Sequence, residues 1–102
     1  MREKIIENKI KAYLKSKGAY CVKYHGNQFS QVGVADLLVC YRGRFLAIEI
    51  KNETGKTSPL QDENILMVER AGGISFVARS VEEVRKVIED IDNIIRISKG
   101  IF

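Results

Sequence analysis

A tight turn between two apolar segments constrains the fold of this chain more than any other feature. Residues 34–41 and 44–52 are rich in aliphatic side chains, and only Arg42-Gly43 separates them. A two-residue connection that contains Gly is typical of a β-hairpin. Both faces of each predicted strand carry apolar residues, which is typical of strands that are covered on both sides. The sequence therefore predicts a hairpin that lies between two other layers of structure.

Three charged residues lie at the open end of this predicted hairpin. Counting outward from the turn places Asp36 directly opposite Glu49 on the neighbouring strand, with their Cβ atoms about 5 Å apart. Lys51 shares the face of Glu49, because side chains alternate along a strand. Buried charges are costly unless they are paired or bound to a metal. The spacing alone leaves two interpretations open, a salt-bridged structural trio or a site for a hard cation such as Mg²⁺.

The rest of the chain reads as alternating helices and strands of a single domain, residues 1–102. Apolar residues at helical spacing, two capping boxes and short β-type runs predict three helices and two further strands. They are a helix over 2–17, a strand over 19–25, a helix from the cap Ser58 to Gly72-Gly73, a strand over 74–79 and a last helix after Ser80, with 98–102 unassigned. The last strand follows a helix, so it is expected to run parallel to a neighbour. This order predicts an α/β fold, a small mixed β-sheet flanked by helices.

The composition favours a soluble protein with an anionic partner. The net charge is +4 and the pI is about 9.2, and nucleic acid is the commonest partner of such proteins. No apolar run approaches the ~20 residues that cross a membrane, and the N-terminus lacks the apolar segment of a secretion signal. A cytoplasmic location is therefore expected, with no membrane partner. Cys21 and Cys40 are expected to be buried thiols, and the single His25 excludes a zinc site of several histidines from one chain.

At the charged end of the hairpin, the chain resembles the PD-(D/E)XK nuclease superfamily, and most closely its VRR-NUC branch. The segment Glu49-Ile50-Lys51 matches the E-x-K half of the motif. Residues 33–36, GVAD, match the G-x-P-D of this branch, with Ala35 where proline is usual. The resemblance covers roughly residues 1–90. It implies a restriction-endonuclease-like αβββαβ core, to which this chain adds a C-terminal helix.

The resemblance also implies a metal centre. Asp36 and Glu49 would be carboxylate ligands, and the backbone carbonyl of Ile50 would complete the protein's share. Lys51 would orient or activate a water molecule. Glu7, on the first helix, would bind the metal directly or through water.

Further residues are assigned to the site or to DNA. Gln61 matches the glutamine of this branch, which positions the site or contacts a phosphate, although the capping box explains a glutamine there equally well. Phosphate or groove contacts are expected from Lys23, His25, Ser30 and Lys56.

The resemblance thus implies an Mg²⁺-dependent endodeoxyribonuclease, with Mn²⁺ as a second usable ion. It also implies a preference for branched or junction DNA in a bacterial or phage-infected cell. Three alternatives stay open: a Holliday junction resolvase of the archaeal type, a catalytically idle nuclease fold that binds DNA, and an α/β protein with a structural ion trio. A homodimer is expected, because a two-fold assembly matches two DNA strands of opposite polarity. The expected dimer contact is the apolar C-terminal run Ile94, Ile95, Ile97, Ile101 and Phe102. The alternative is that these residues cover the sheet of their own chain.

Overall fold

The computed structural model describes residues 2–26 and 31–101, with only the backbone for the last two of these. Its elements are α1 (Arg2–Ser16), β1 (Tyr20–Lys23), β2 (Leu37–Tyr41), β3 (Arg44–Ile50), α2 (Pro59–Arg70), β4 (Ile74–Ala78) and α3 (Val81–Ile101). The predicted fold class is confirmed, including the αβββαβ core and the extra C-terminal helix. Within the described residues, no helix is long and apolar enough to cross a membrane.

The sheet has the strand order β1-β2-β3-β4, with the first two pairings antiparallel and the last one parallel. Leu37 pairs with Ile48, which confirms the predicted hairpin register and leaves Asp36 one residue before β2. Arg42 and Gly43 at the turn have φ angles of 49° and 83°. Positive φ at both central residues is the conformation whose twist suits a two-residue hairpin. The turn therefore fixes which side chains meet at the open end.

One face of the sheet forms the core of the molecule. Helices α1 and α3 pack on this face, and each presents an apolar stripe to it. Most charged residues of the two helices are exposed, whereas Glu7 of α1 is buried. The side chains that are buried most completely here are Ile10 and Leu14 of α1, Leu37 and Val39 of β2, Leu46, Ile48 and Ile50 of β3, and Val84 and Ile88 of α3.

Among the described residues, the element that packs on the second face is α2, which lies at the β3–β4 side of the sheet. At Gly73, an added Cβ would come within 2.8 Å of the Val68 side chain, so the loop after α2 passes close to the helix. The expectation of full cover on this side is wrong for β1 and β2, because α2 does not extend over them. Tyr20 is 69% exposed, and Cys40 is exposed as well. Cys40 is therefore not the buried thiol that was expected, and Cys21 is half-buried.

Helix α3 continues to Ile101 and includes most of the tail that had no assigned structure. The predicted contact surface on this helix divides into two parts. Ile95 packs against the core of its own chain, whereas Ile94 and Ile97 are 57% and 60% exposed. The side chain of Ile101, and Phe102 as a whole, lie outside the described residues.

Candidate active site

The candidate site lies at the edge of the sheet where β2 begins and β3 ends. Asp36 reaches this edge from the loop before β2, and its Oδ2 accepts a hydrogen bond of 2.8 Å from the backbone N–H of Ile50. Gly33 has a φ of +88°, and a Cβ there would lie 2.5 Å from the carbonyl oxygen of Leu60. Only glycine fits such a place. Ala35 is 2% exposed, so a small apolar residue suits the position where proline is usual.

Glu49 is buried on the face of the sheet that α2 covers. Its Oε2 accepts a hydrogen bond of 2.9 Å from Gln61 Nε2 and lies 3.9 Å from Lys51 Nζ. Burial, and then the neighbouring carboxylate of Asp36, raise the pKa of Glu49 to about 7. The two carboxylates therefore meet as the hairpin register predicts, and the nearby lysines do not fully compensate their charge.

Gln61 serves the helix cap and the site with different atoms of one amide. Its Oε1 accepts from the backbone N–H of Ser58 at 2.8 Å, and its backbone N–H donates to Ser58 Oγ at 3.2 Å, which closes a capping box. Its Nε2 donates to Glu49. The two interpretations of this residue are thus compatible, since the cap orients the amide that holds the carboxylate.

Lys51 follows β3 and begins a loop that hydrogen bonds to β4 and Arg79 hold in place. Its backbone N–H donates to the carbonyl of Ala78 at 3.1 Å, which ties it to β4. The guanidinium of Arg79 donates to the carbonyls of Asn52 and Gly55, at 2.5 and 2.7 Å. The sequence did not indicate this role for Arg79. Because the loop is held, the Lys51 side chain, which is 17% exposed, stays beside Glu49.

Glu7 reaches the same edge from the opposite face of the sheet. It is buried on α1, and Lys23 Nζ donates to its Oε1 at 2.7 Å. The same ammonium lies 3.4 Å from Asp36 Oδ1. Burial alone would raise the pKa of Glu7, but the hydrogen bond and the charge of Lys23, together with Lys4 and Lys11, lower it. Asp36 thus lies between Glu49 on one face of the sheet and the Lys23–Glu7 pair on the other.

Lys23 lies at the centre of the charged cluster. Its ammonium lies between the two carboxylates Glu7 and Asp36. The phosphate contact that was expected of it stays a prediction. The register of β1 on β2 accounts for the contact with Glu7. Lys23 pairs with Leu37 across β1 and β2, and residues that are paired across strands share a face. Lys23 therefore points toward α1, where Glu7 is the buried acid.

The donor set fits one hard divalent cation. Within residues 2–26 and 31–101, no group of three or more His, Cys, Asp and Glu side chains is arranged to hold a metal. Asp36 and Glu49 supply two carboxylates, and Mg²⁺ commonly takes one or two carboxylates and keeps water in its other positions. The raised pKa of Glu49, which arises from burial and then from Asp36, is the property that a cation at this place would reverse. The role expected for the Ile50 carbonyl stays a prediction.

The other residues predicted to contact DNA are peripheral. His25 and Lys56 are exposed in the two loops that border this edge of the sheet. Ser30 lies outside the described residues. Their roles stay predictions.

Comparisons with known proteins agree with this geometry. No protein-family model matches the sequence, and no curated protein is similar to it at a significant level. A solved structure described as a VRR_NUC domain is 28% identical, with a TM-score of 0.73 over 87% of this chain and 96% of that one. A VRR_NUC domain protein is 22% identical, with a TM-score of 0.71 over 87% of this chain and 86% of that one.

A third solved structure shares the fold. It is Hjc, a Holliday junction resolvase from the archaeal hyperthermophile Archaeoglobus fulgidus, 21% identical, with a TM-score of 0.60 over 76% of this chain and 67% of that one. The fold and the first of these likenesses agree with the family that residues 33–36 and 49–51 indicate. The fold and these likenesses support the resemblance of this chain to the VRR-NUC branch of the PD-(D/E)XK superfamily.

Proposed function

We propose that this protein is a metal-dependent endonuclease that hydrolyses phosphodiester bonds in DNA. One observation carries the proposal. Asp36 and Glu49 meet at the open edge of the sheet with Lys51 Nζ 3.9 Å from Glu49, and burial and then Asp36 raise the pKa of Glu49 to about 7. Such a pair of carboxylates calls for a cation, and phosphoryl oxygens are natural further ligands of that cation.

Asp36, Glu49 and the Ile50 carbonyl would hold Mg²⁺, or Mn²⁺ in its place. When bound, the ion supplies the positive charge that polarises a phosphate and acidifies water. Glu7 as a ligand stays a prediction, since its carboxylate reaches Asp36 only through Lys23.

Other groups of the chain orient the water and the two carboxylates. The Lys51 ammonium orients the attacking water and stabilises negative charge that develops on the phosphate oxygens. Gln61 fixes one oxygen of Glu49, and the Ile50 N–H fixes one oxygen of Asp36, so both carboxylates are oriented before substrate arrives. The site is preorganised at a sheet edge that is open to a large substrate.

Branched or junction DNA is the substrate class that we propose. The net charge of +4 suits a polyanion, and the fold is shared with a protein described as a Holliday junction resolvase. A homodimer would give two equivalent sites for two strands. Ile94 and Ile97 on α3 are exposed and available for such a contact. Light scattering tests the dimer: a mass of one chain at all concentrations, with cleavage retained, would refute it.

A cleavage assay tests the activity. The wild-type chain is incubated with nicked, duplex and four-way-junction DNA, with Mg²⁺ and with EDTA. We expect cleavage only with Mg²⁺ and fastest on the junction. Asp36→Asn removes a carboxylate of the site, and Asp92→Asn, which removes one at the other end of the hairpin, is its matched control. Binding of junction DNA without cleavage in either Mg²⁺ or Mn²⁺ would favour the catalytically idle DNA-binding module.

A further inference from the structure

The carboxylate of Glu7 is fully occupied by ammonium groups. Its Oε1 accepts from Lys23 at 2.7 Å, and its Oε2 lies 3.5 Å from Lys4 Nζ and 3.6 Å from Lys11 Nζ. The Glu7 side chain is 6% exposed, whereas that of Lys4 is 65% exposed. The short ion pair between Lys23 and Glu7 is therefore less accessible to solvent than that of Lys4. A metal ion that approached Glu7 from the sheet edge would have to displace the Lys23 ammonium.

Asp36 divides its two oxygens between the faces of the sheet. Its Oδ2 is held by the Ile50 N–H, and its Oδ1 faces Lys23 Nζ at 3.4 Å. Lys23 thus bridges Glu7 and Asp36 as a divalent ion would, with its ammonium against one oxygen of each.

We propose that the Lys23 ammonium is a built-in substitute for a second metal ion, so that each chain binds one divalent cation and not two. The proposal rests on the metal centre proposed above at Asp36 and Glu49. In two-metal sites the ions lie about 3.5–4 Å apart and share a bridging carboxylate. Asp36 would be that shared carboxylate here. Asp36 and Glu49 would hold the one divalent ion, and the Lys23 ammonium, between Asp36 and Glu7, would replace the second ion.

The proposal makes Lys23 a positioning residue whose removal adds a metal site. In Lys23→Gln, Glu7 and Asp36 face each other across a gap that no ammonium from β1 fills. Within the part of the chain that the structure describes, Lys4 and Lys11 form ion pairs with Glu7 and none with Asp36. Two facing carboxylates that have lost their shared cation form a site for a second divalent ion.

The experiment counts Mn²⁺ ions on the full-length chain without DNA. Free Mn²⁺ is followed by electron paramagnetic resonance during a titration, and circular dichroism checks that each variant is folded. We expect one Mn²⁺ per chain for the wild type and two for Lys23→Gln. Lys23→Arg retains the cation and is expected to bind one. Lys11→Gln removes an ammonium that lies 3.6 Å from Glu7 but does not bridge to Asp36, and it is expected to bind one as well.

The outcomes separate this proposal from the proposed function. Two Mn²⁺ ions on the wild type, or no gain of an ion in Lys23→Gln, would overturn it. Mn²⁺ on Lys23→Gln alone, with none on the wild type, would support the role of Lys23 and refute the metal centre at Asp36 and Glu49.

A second variant keeps the test decisive if Lys23→Gln does not fold. Glu7→Gln removes an acid that, on this proposal, contacts no metal in the wild type. We expect one Mn²⁺ per chain with an affinity within about threefold of the wild type. A loss of affinity greater than tenfold would show Glu7 to be a metal ligand and would overturn the proposal.

Discussion

The two ends of the β2–β3 hairpin both carry charged clusters, and they differ in whether the charge is compensated. At the turn, Asp92 accepts hydrogen bonds from Tyr41 Oη at 2.7 Å and from Arg42 Nη1 at 2.9 Å. These two bonds, that of Tyr41 foremost, lower the pKa of Asp92. At the open end, burial and then Asp36 raise the pKa of Glu49.

The two clusters differ in how completely their charge is compensated. The partners of Asp92 stabilise its charged form, and this cluster ties α3 to the hairpin. Glu49 is buried beside a second acid, and its raised pKa shows that its charged form is not fully compensated. On the function proposed above, a cation would compensate it.

Loss of either carboxylate at the open end should have the largest effect. Asp36→Asn or Glu49→Gln removes a ligand charge with little change of shape. We expect cleavage to fall about 10³-fold or more, as several kcal/mol of stabilisation is lost. Asp92→Asn should cleave at close to the wild-type rate. Rates on junction DNA with Mg²⁺ measure this, and near-wild-type cleavage by Asp36→Asn would refute the site.

Lys51→Ala should lower the rate far more than the affinity. We expect a loss of about 10²- to 10³-fold in cleavage, which is typical when one stabilising group is removed from a transition state. DNA affinity should change little, since one lysine is a small part of a phosphate footprint. Single-turnover cleavage and a binding titration in Ca²⁺ separate the two. An equal loss of rate and affinity would indicate a purely electrostatic role.

Glu49→Gln should stabilise the protein, whereas the loss of a carboxylate that is paired in the folded state usually destabilises it. The folded pKa of Glu49 is about 7 against a reference of 4.5, so the folded state binds more protons between these values and stability falls as pH rises. In metal-free buffer at pH 8, the variant should be more stable by on the order of 3 kcal/mol, at ~1.4 kcal/mol per pKa unit. At pH 4 the gain should vanish. Urea unfolding at both values tests this, and a less stable variant at pH 8 would contradict it.

Asp92→Asn should give the smallest effect and the opposite sign. Because the pKa of Asp92 is lowered in the folded state, its stabilisation is present above the unfolded pKa and is lost as pH falls through the folded one. At pH 7 we expect a loss of about 1 kcal/mol, since the cluster is partly exposed to solvent. The same unfolding experiments measure it. If Asp92→Asn also stabilised the protein, as is expected of Glu49→Gln, the two ends of the hairpin would not differ in the way described above.

The sequence predicted those parts of the site that depend on local geometry. A two-residue turn and the alternation of a strand are enough to place Asp36 opposite Glu49, and a capping box is enough to place Gln61 at a helix start. Contacts across layers were not predictable in the same way. Lys23 reaches Glu7 only because α1 packs on the β1 side of the core face, and that angle depends on the side chains of the whole core.

The uncovered part of the second face has a similar cause. Apolar residues such as Tyr20 and Val22 on β1 predict burial, but whether a helix lies over them depends on where α2 crosses the sheet. The tail was missed for a more local reason. Ser98 and Lys99 do not interrupt a helix that Ile95 already anchors, so α3 simply continues.

The double use of Gln61 limits which residues evolution can accept at the start of α2. A capping box admits glutamate as readily as glutamine at this position, so Gln61→Glu is a neutral exchange for the helix. For the site it is not, because the amide that donates to Glu49 would be replaced by a third acid against an already crowded pair. A search of sequence variants that retain cleavage should therefore recover glutamine here and reject glutamate, although the helix by itself would tolerate both.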